Sequence, residues 1–517
     1  MRLSCHLTVL FFLLNAFIWA IGNSFAGSTL LIYFITSLGV SNSGLAIAAI
    51  KASPQITGIL RMTASTMVAW FTRKCRFQPT PTLSEPCSPS EPCPYSRTPR
   101  SRPHAPLHGL DTGTKWFVIT THLLSVIILA IFPWFAMVAV RWSRHEPDVT
   151  HSMGLLSSEL WLIVGLVAIW CTHHLLEYVG TVVLWAWTNE RIESEVRRRF
   201  WGWRNSALCA GFFIGGLFVW FLRDYMRDAS VSMTHSYIVI AGLGAILLGL
   251  AVIPLMKIPA LLLTTSENSS AISENCHTIS TEQNTAVSSM ESPHQSVWNT
   301  LRVRDFRWVL YYGVWMSLVG GFVQSAQYLF TIRYLNIPFE LALMLDATMR
   351  IGQMFLSLSV GRWITRWGYR RILVPSTLLL AGCYVVFLYA TPEYLTPYYL
   401  GWGMYLAWTG INVSIPARLV EFGDRNTRTD YVACYTGLTG LVLALATLVG
   451  GGLVDHLATR YTNELFVFQC FLIVGVLGRL IAVGIALRFP DTTTSQTYHA
   501  PSSEDTIASK RSNASRG

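Results

Sequence analysis

Apolar runs of eighteen residues or more recur along the whole 517-residue chain, without the strict alternation of a half-buried strand. A run of that length crosses a hydrocarbon core of about 30 Å as an α-helix. A helix also satisfies its own backbone groups in lipid, whereas barrel strands would alternate over about ten residues. The pattern predicts twelve spans, at 8–36, 43–71, 114–140, 156–187, 205–222, 233–256, 306–331, 338–361, 371–390, 394–417, 429–453 and 464–487. The span at 205–222 is the shortest, and glycine and polar residues interrupt the two between 394 and 453. The first run follows Arg2 in the manner of a secretory leader, but it continues to about Ile35. That is too long for a leader, so it reads as the first span.

Two polar stretches punctuate the spans. Residues 77–113 are rich in Pro and Ser, and residues 264–297 in Ser, Thr, Asn and Glu. Neither has the apolar surface that would offset the cost of ordering the chain. The second falls between spans six and seven. The predicted organisation is a first six-helix half at 1–257 carrying the insertion 77–113, a linker at 258–300, a second half at 301–490 and a polar tail at 491–517. Trp70-Phe71-Thr72-Arg73-Lys74 ends span two, and Trp363-Ile364-Thr365-Arg366-Trp367 ends span eight. This echo at a spacing of six spans favours a duplicated 6+6 design, the kind transporters use for alternating access.

Composition supports a membrane protein: mean hydropathy is +0.42 and 13% of residues are charged. The formal charge of +10 would raise nucleic acid as a partner in a soluble chain, but no nucleic-acid motif accompanies it. The basic residues lie instead in loops of alternate parity. Arg73, Lys74, Arg76, Arg97, Arg100 and Arg102 follow span two; Arg191 and Arg197–Arg199 follow span four; Arg362, Arg366, Arg370 and Arg371 follow span eight. By the positive-inside rule both termini are expected in the cytoplasm of a multi-pass plasma (inner) membrane protein. The ten cysteines form no CxxC pair, and those inside spans read as small apolar residues.

After span eight the chain reads Gly352, eight residues, Gly361, then Arg366, Gly368, Arg370 and Arg371. This resembles the loop signature G-x8-G-x3-D-R-x-G-x-R-R of the major facilitator superfamily, with Thr365 in place of the aspartate. Trp185-Ala186-Trp187 and the basic Arg197–Asn205 segment are similar to the fourth loop of many bacterial members. The resemblance implies an all-α membrane fold of twelve helices in two pseudo-symmetric halves, with a central cavity lined by spans one, four, seven and ten. It implies a gating loop at Gly352–Arg371 that latches one conformational state, here without the family's acid. The glycines suit close helix approach and, at Gly368, a tight turn.

Ionisable groups inside spans are costly and often functional. Trp170, His173, His174 and Glu177 share one face of span four at i, i+3, i+4 and i+7. Glu177 is the candidate for a coupling proton or a cationic group, tuned by either histidine; a structural His–Glu pair is the alternative. Asp346, Arg350 and Gln353 repeat the spacing in span eight and read as an intrahelical ion pair, or as a pair that breaks on binding. Asn15, Trp19 and Asn23 in span one, Gln324, Gln327 and Tyr328 in span seven, and Tyr405, Trp408 and Asn412 in span ten form polar–aromatic stripes suited to a polar organic solute. Interhelical bonding and packing are the alternative for each. Lys51, Arg61 and Arg479 read as snorkelling side chains and receive no site role.

No phosphate loop and no zinc helix of the HExxH type occurs, so neither ATP-driven transport nor a metal or other cofactor is expected. The expected function is secondary transport of a small organic solute by a monomer in the bilayer, driven by a proton or sodium gradient or by the solute gradient itself. A non-transporting receptor or sensor with the same fold, and a membrane-embedded enzyme, are the alternatives.

Overall fold

The computed structural model describes residues 2–27, 44–74, 108–145, 154–258, 299–423, 427–461 and 463–490. Most of the expected linker (258–300), the expected tail and most of the insertion (77–113) lie outside these residues. The insertion's last six residues do not: His108 already begins a helix.

Among the described residues twelve helices, some divided into shorter pieces, run in chain order. The first half holds α1 (Arg2–Ala26), α2 (Gly44–Ile56, a 3-10 segment Thr57–Thr63, then Ala64–Lys74), α3 (His108–His145), α4 (Gly154–Arg191), α5 (Ser194–Asp228) and α6 (Met233–Leu250, continued by Val252–Lys257). The second holds α7 (Arg304–Leu329, ending in a π turn Phe330–Tyr334), α8 (Phe339–Trp367), α9 (Arg370–Phe387), α10 (Thr396–Met404, a 3-10 turn Tyr405–Ala407, then Trp408–Leu419), α11 (Arg428–Arg460) and α12 (Glu464–Ala486). Among the described residues nine helices are long and apolar enough to cross a membrane. Of the other three, α2 and α10 are divided into shorter pieces and α7 carries an amide-bearing face.

The packing repeats with a period of six. In the first half α1 packs on α5 and α6, α3 on α4 and α6, and α2 on α4. In the second, α7 packs on α11 and α12, α9 on α10 and α12, and α8 on α10. The halves meet where α5 lies along α8 and α2 along α11, which is again one contact and its six-shifted counterpart.

Three expectations change. The basic run Arg197–Arg199 is not a loop. It forms the first turns of α5, and the link from α4 is only Ile192–Glu193. Arginine is a good helix former, and a helix that begins outside the hydrocarbon can carry it. Arg362 and Arg366 likewise belong to α8, leaving Gly368–Tyr369 as the turn to α9. The glycines of span eleven do not interrupt α11, because they are contact surface: a Cβ at Gly450 would run into the Phe322 carbonyl of α7. The interruption of span ten is present, and span two has one the sequence did not announce, just beyond Pro54, whose missing N–H loosens the helix there.

Candidate functional site

Two polar networks lie inside the bundle, one in each half. In the first, Glu177 of α4 is 4% exposed. Its Oε1 accepts from Trp19 Nε1 of α1 at 2.9 Å. Its Oε2 lies 2.7 Å from His174 Nδ1 and 3.7 Å from His173 Nε2. His173 is held in turn by α3, where Ser125 Oγ stands 2.8 Å from its Nδ1 and donates to its carbonyl at 3.0 Å. A buried carboxylate is tolerated only when it is bonded or paired, and the one-face spacing on α4 supplies both histidines.

The network continues through Tyr178, whose ring stacks on His174 at 5.1 Å. The Arg61 guanidinium carbon lies 3.7 Å from the centroid of the same Tyr178 ring. It donates Nη2 to Gln55 Oε1 at 3.2 Å, and Nη1 to the Thr436 carbonyl of α11 at 3.3 Å. Arg61 is therefore buried between the halves and does not snorkel. The 3-10 segment of α2 carries it there.

The second network centres on Gln327 of α7. Its Oε1 accepts from Tyr405 of α10 at 2.9 Å and from Tyr384 of α9 at 3.2 Å. Arg479 of α12 donates Nη2 to the Tyr384 hydroxyl at 3.2 Å and lies 4.3 Å over that ring. At 1% exposure Arg479 is also interior. Between the networks, Lys51 of α2 donates to the Tyr328 hydroxyl of α7 at 2.9 Å.

The remaining predicted residues divide. Asp346 and Arg350 form the expected i, i+4 pair at 3.4 Å, and Arg350 also reaches Gln353 Oε1 at 3.2 Å. Asn23, Gln324 and Trp408 are half-buried, and Asn412 is exposed. Asn15 turns away from the cavity-lining position expected of it: its Nδ2 donates to the Ala251 carbonyl at the end of α6 at 2.8 Å, buried within the first half. Trp170 is 2% exposed and packs edge-on against His174 at 4.3 Å, so it backs the histidines from the core. His173, His174 and Glu177 bring their ligand atoms within 4.8 Å of one another and are the metal-capable group among the described residues. All three come from one helix.

The motif residues lie at the basic end of the bundle. A Cβ at Gly361 would stand 3.2 Å from Gly202 Cα of α5, so these two glycines let α5 and α8 touch. Gly352 faces Leu406 of α10 in the same way, and Gly368 turns the chain at φ 83°. Thr365 bonds only its own helix, at the Arg362 carbonyl. The acid comes from elsewhere: Glu421, just past α10, accepts from Arg198 Nε at 2.8 Å, from Tyr369 at 2.8 Å and from Arg418 Nη1 at 2.9 Å. Asn189 at the end of α4 donates to the Val420 carbonyl beside it at 2.9 Å. Burial, and then the charge of Glu421, push the Tyr369 phenol well above its ordinary range.

Sequence reasoning missed Glu421, Tyr384, Ser125 and Tyr178 and set Arg61 and Arg479 aside. The signal for the two arginines was present, since each interrupts an apolar run. Only packing shows that neither reaches a membrane surface.

No protein-family model matches the sequence, and no curated protein matches it. The structure is similar to that of the proton:xylose symporter XylE, with a TM-score of 0.57 and 12% identity over 95% of this chain and 97% of that one. It is similar to the E. coli fucose:proton symporter FucP, with a TM-score of 0.56 and 13% identity over 95% of this chain and all of that one (100%). A bacterial homologue of the iron transporter ferroportin in its outward-facing state matches with a TM-score of 0.55 and 11% identity, over 93% of this chain and 98% of that one. With nine helices long and apolar enough to cross a membrane among the described residues, its six-shifted packing and these likenesses over almost its full length, the chain is a multi-pass membrane protein with the major facilitator fold.

Proposed function

We propose that this chain is a proton-coupled secondary transporter of a small organic solute, working by alternating access, with Glu177 as the proton carrier. The observation that carries the reading is the line from Glu177 through His174 and Tyr178 to Arg61, which bonds the opposite half at Thr436. A proton arriving at Glu177 or His174 changes charge within a buried network, and Arg61 feels that change at the boundary where the halves move. The likeness to two proton symporters supports the same reading.

In this proposal residues 1–257 and 301–490 are the two bodies that rock, as a monomer in the bilayer of a plasma (inner) membrane. The basic end is cytoplasmic, in line with the positive-inside rule. In this reading Glu421, Asn189 and the Gly202–Gly361 contact hold that end closed. The solute binds between the two networks, against Gln327, Tyr405 and the groups around Lys51.

The test is flux in proteoliposomes under an imposed inward proton gradient, with a panel of sugars, amino acids, organic acids and organic cations. Expected is gradient-dependent uptake that falls at least tenfold, and loses its pH dependence, in Glu177→Gln. Unchanged uptake and pH dependence in that variant overturn the role of Glu177. Uptake driven only by sodium reassigns the coupling ion, and saturable binding without flux makes the chain a receptor.

A further inference from the structure

Arg479 is a guanidinium in the interior of α12, 1% exposed. A guanidinium is a charged, donor-only group, with five N–H donors and no acceptor. No carboxylate stands within ion-pair distance of it among the described residues. Its Nε and Nη1 have no hydrogen-bond partner there, and Nη2 has only the Tyr384 hydroxyl, at 3.2 Å. An intramembrane charge without a counter-charge is expensive to keep, and such groups mark substrate paths.

What surrounds this charge is organised. The Tyr384 oxygen accepts from Arg479, so its own proton is directed onward to Gln327 Oε1 at 3.2 Å. Tyr405 directs its hydroxyl to the same oxygen at 2.9 Å, with its own oxygen 3.1 Å from that of Tyr384. Two phenolic O–H groups thus converge on one acceptor point, and a fixed positive charge behind Tyr384 polarises them toward it. In the state described an uncharged amide oxygen fills that point. Gln327 and Tyr405 are half-buried, whereas Tyr384 and Arg479 are sealed behind them. An acceptor with full negative charge would meet the same donors more strongly than an amide does, and would supply the counter-charge that Arg479 lacks.

From this geometry we infer that the second half carries a carboxylate-recognition site. The carboxylate of an organic-acid solute displaces the amide oxygen of Gln327, accepts from Tyr384 and Tyr405, and is compensated by Arg479. This deepens the transport reading by naming the solute class. It rests on that reading for the solute's passage.

The full chain, purified in detergent, would be titrated with matched acid and neutral probes, benzoate against benzamide, lactate against lactamide and glucuronate against glucose. Thermal stabilisation would be followed by intrinsic fluorescence, with chloride holding ionic strength constant. The expected result is stabilisation by at least one acid, at a concentration at least tenfold below that needed of its neutral twin. Arg479→Met should abolish that preference. Tyr405→Phe, a smaller change that keeps the charge and serves if Arg479→Met does not fold, should weaken acid binding about tenfold. Equal or better binding of the neutral twins, a preference that survives in Arg479→Met, a response to chloride alone, or no response to any acid by folded protein overturns the site. Flux of a neutral solute only would overturn the site and keep the transporter. Acid binding without flux would keep the site and overturn the transporter.

Discussion

Arg198 and Glu421 stand 2.8 Å apart across the boundary between the two halves, one at the start of α5 and the other just past the end of α10. The family's loop aspartate is replaced by Thr365, yet the bundle closes with a carboxylate all the same. Glu421 gathers two guanidinium groups and the Tyr369 hydroxyl, so the missing acid is supplied from a different helix end.

Removing that charge should open the basic end. Hydrogen bonds to charged groups contribute about 1.5–3 kcal/mol each, so Glu421→Gln should shift the open-to-closed ratio about tenfold or more. Spin labels at Arg199→Cys and Arg366→Cys, both exposed positions, should report a longer and broader distance distribution in the variant. An unchanged distribution would show that packing alone holds the closure.

Tyr369 gives the closure a pH signature. Its phenol is raised above the ordinary range by burial and by the neighbouring Glu421. A group raised in the folded state contributes stability that is whole below its unfolded pKa and is lost as pH climbs toward the folded one. That loss should therefore begin near about pH 10, the ordinary tyrosine value. Between pH 7 and 9 the bond to Glu421 should not respond. Unfolding temperatures at pH 8 and 11 should diverge more for the parent chain than for Tyr369→Phe.

Asn15 should behave as a structural residue. Its bond to the Ala251 carbonyl is buried inside the first half. Asn15→Ala should lower unfolding stability by about 1–3 kcal/mol, the cost of stranding a buried partner, while leaving the apparent affinity for any transported solute unchanged. A selective change in affinity, measured by competition uptake, would place the residue at the solute after all.

Much of this was legible along the chain because its causes are local. Apolar run length announces a crossing helix, and the Asp346–Arg350 pair and the His–Glu cluster follow from helical spacing alone. The Arg-rich start of α5 read as a loop because charge was equated with exposure, although the helix simply begins outside the hydrocarbon. The long-range bonds were not legible. Arg61 meets Thr436 across 375 positions and Arg198 meets Glu421 across 223, and no periodicity encodes which distant turn faces which. Arg479 shows the limit clearly. Its residue type pointed to importance, but only the packing of α7, α9 and α12 distinguishes an enclosed cation from one whose tip reaches the headgroups.

The two-residue link between α4 and α5 has a mechanical consequence. Ile192 and Glu193 leave no slack between the helix that bears Glu177 and the helix that runs along α8. In the proposed rocking, a tilt of α5 at the boundary would pull on the basic end of α4 directly, through those two residues alone. The helix that bears the carboxylate is thus tethered at its basic end to the helix that forms the boundary.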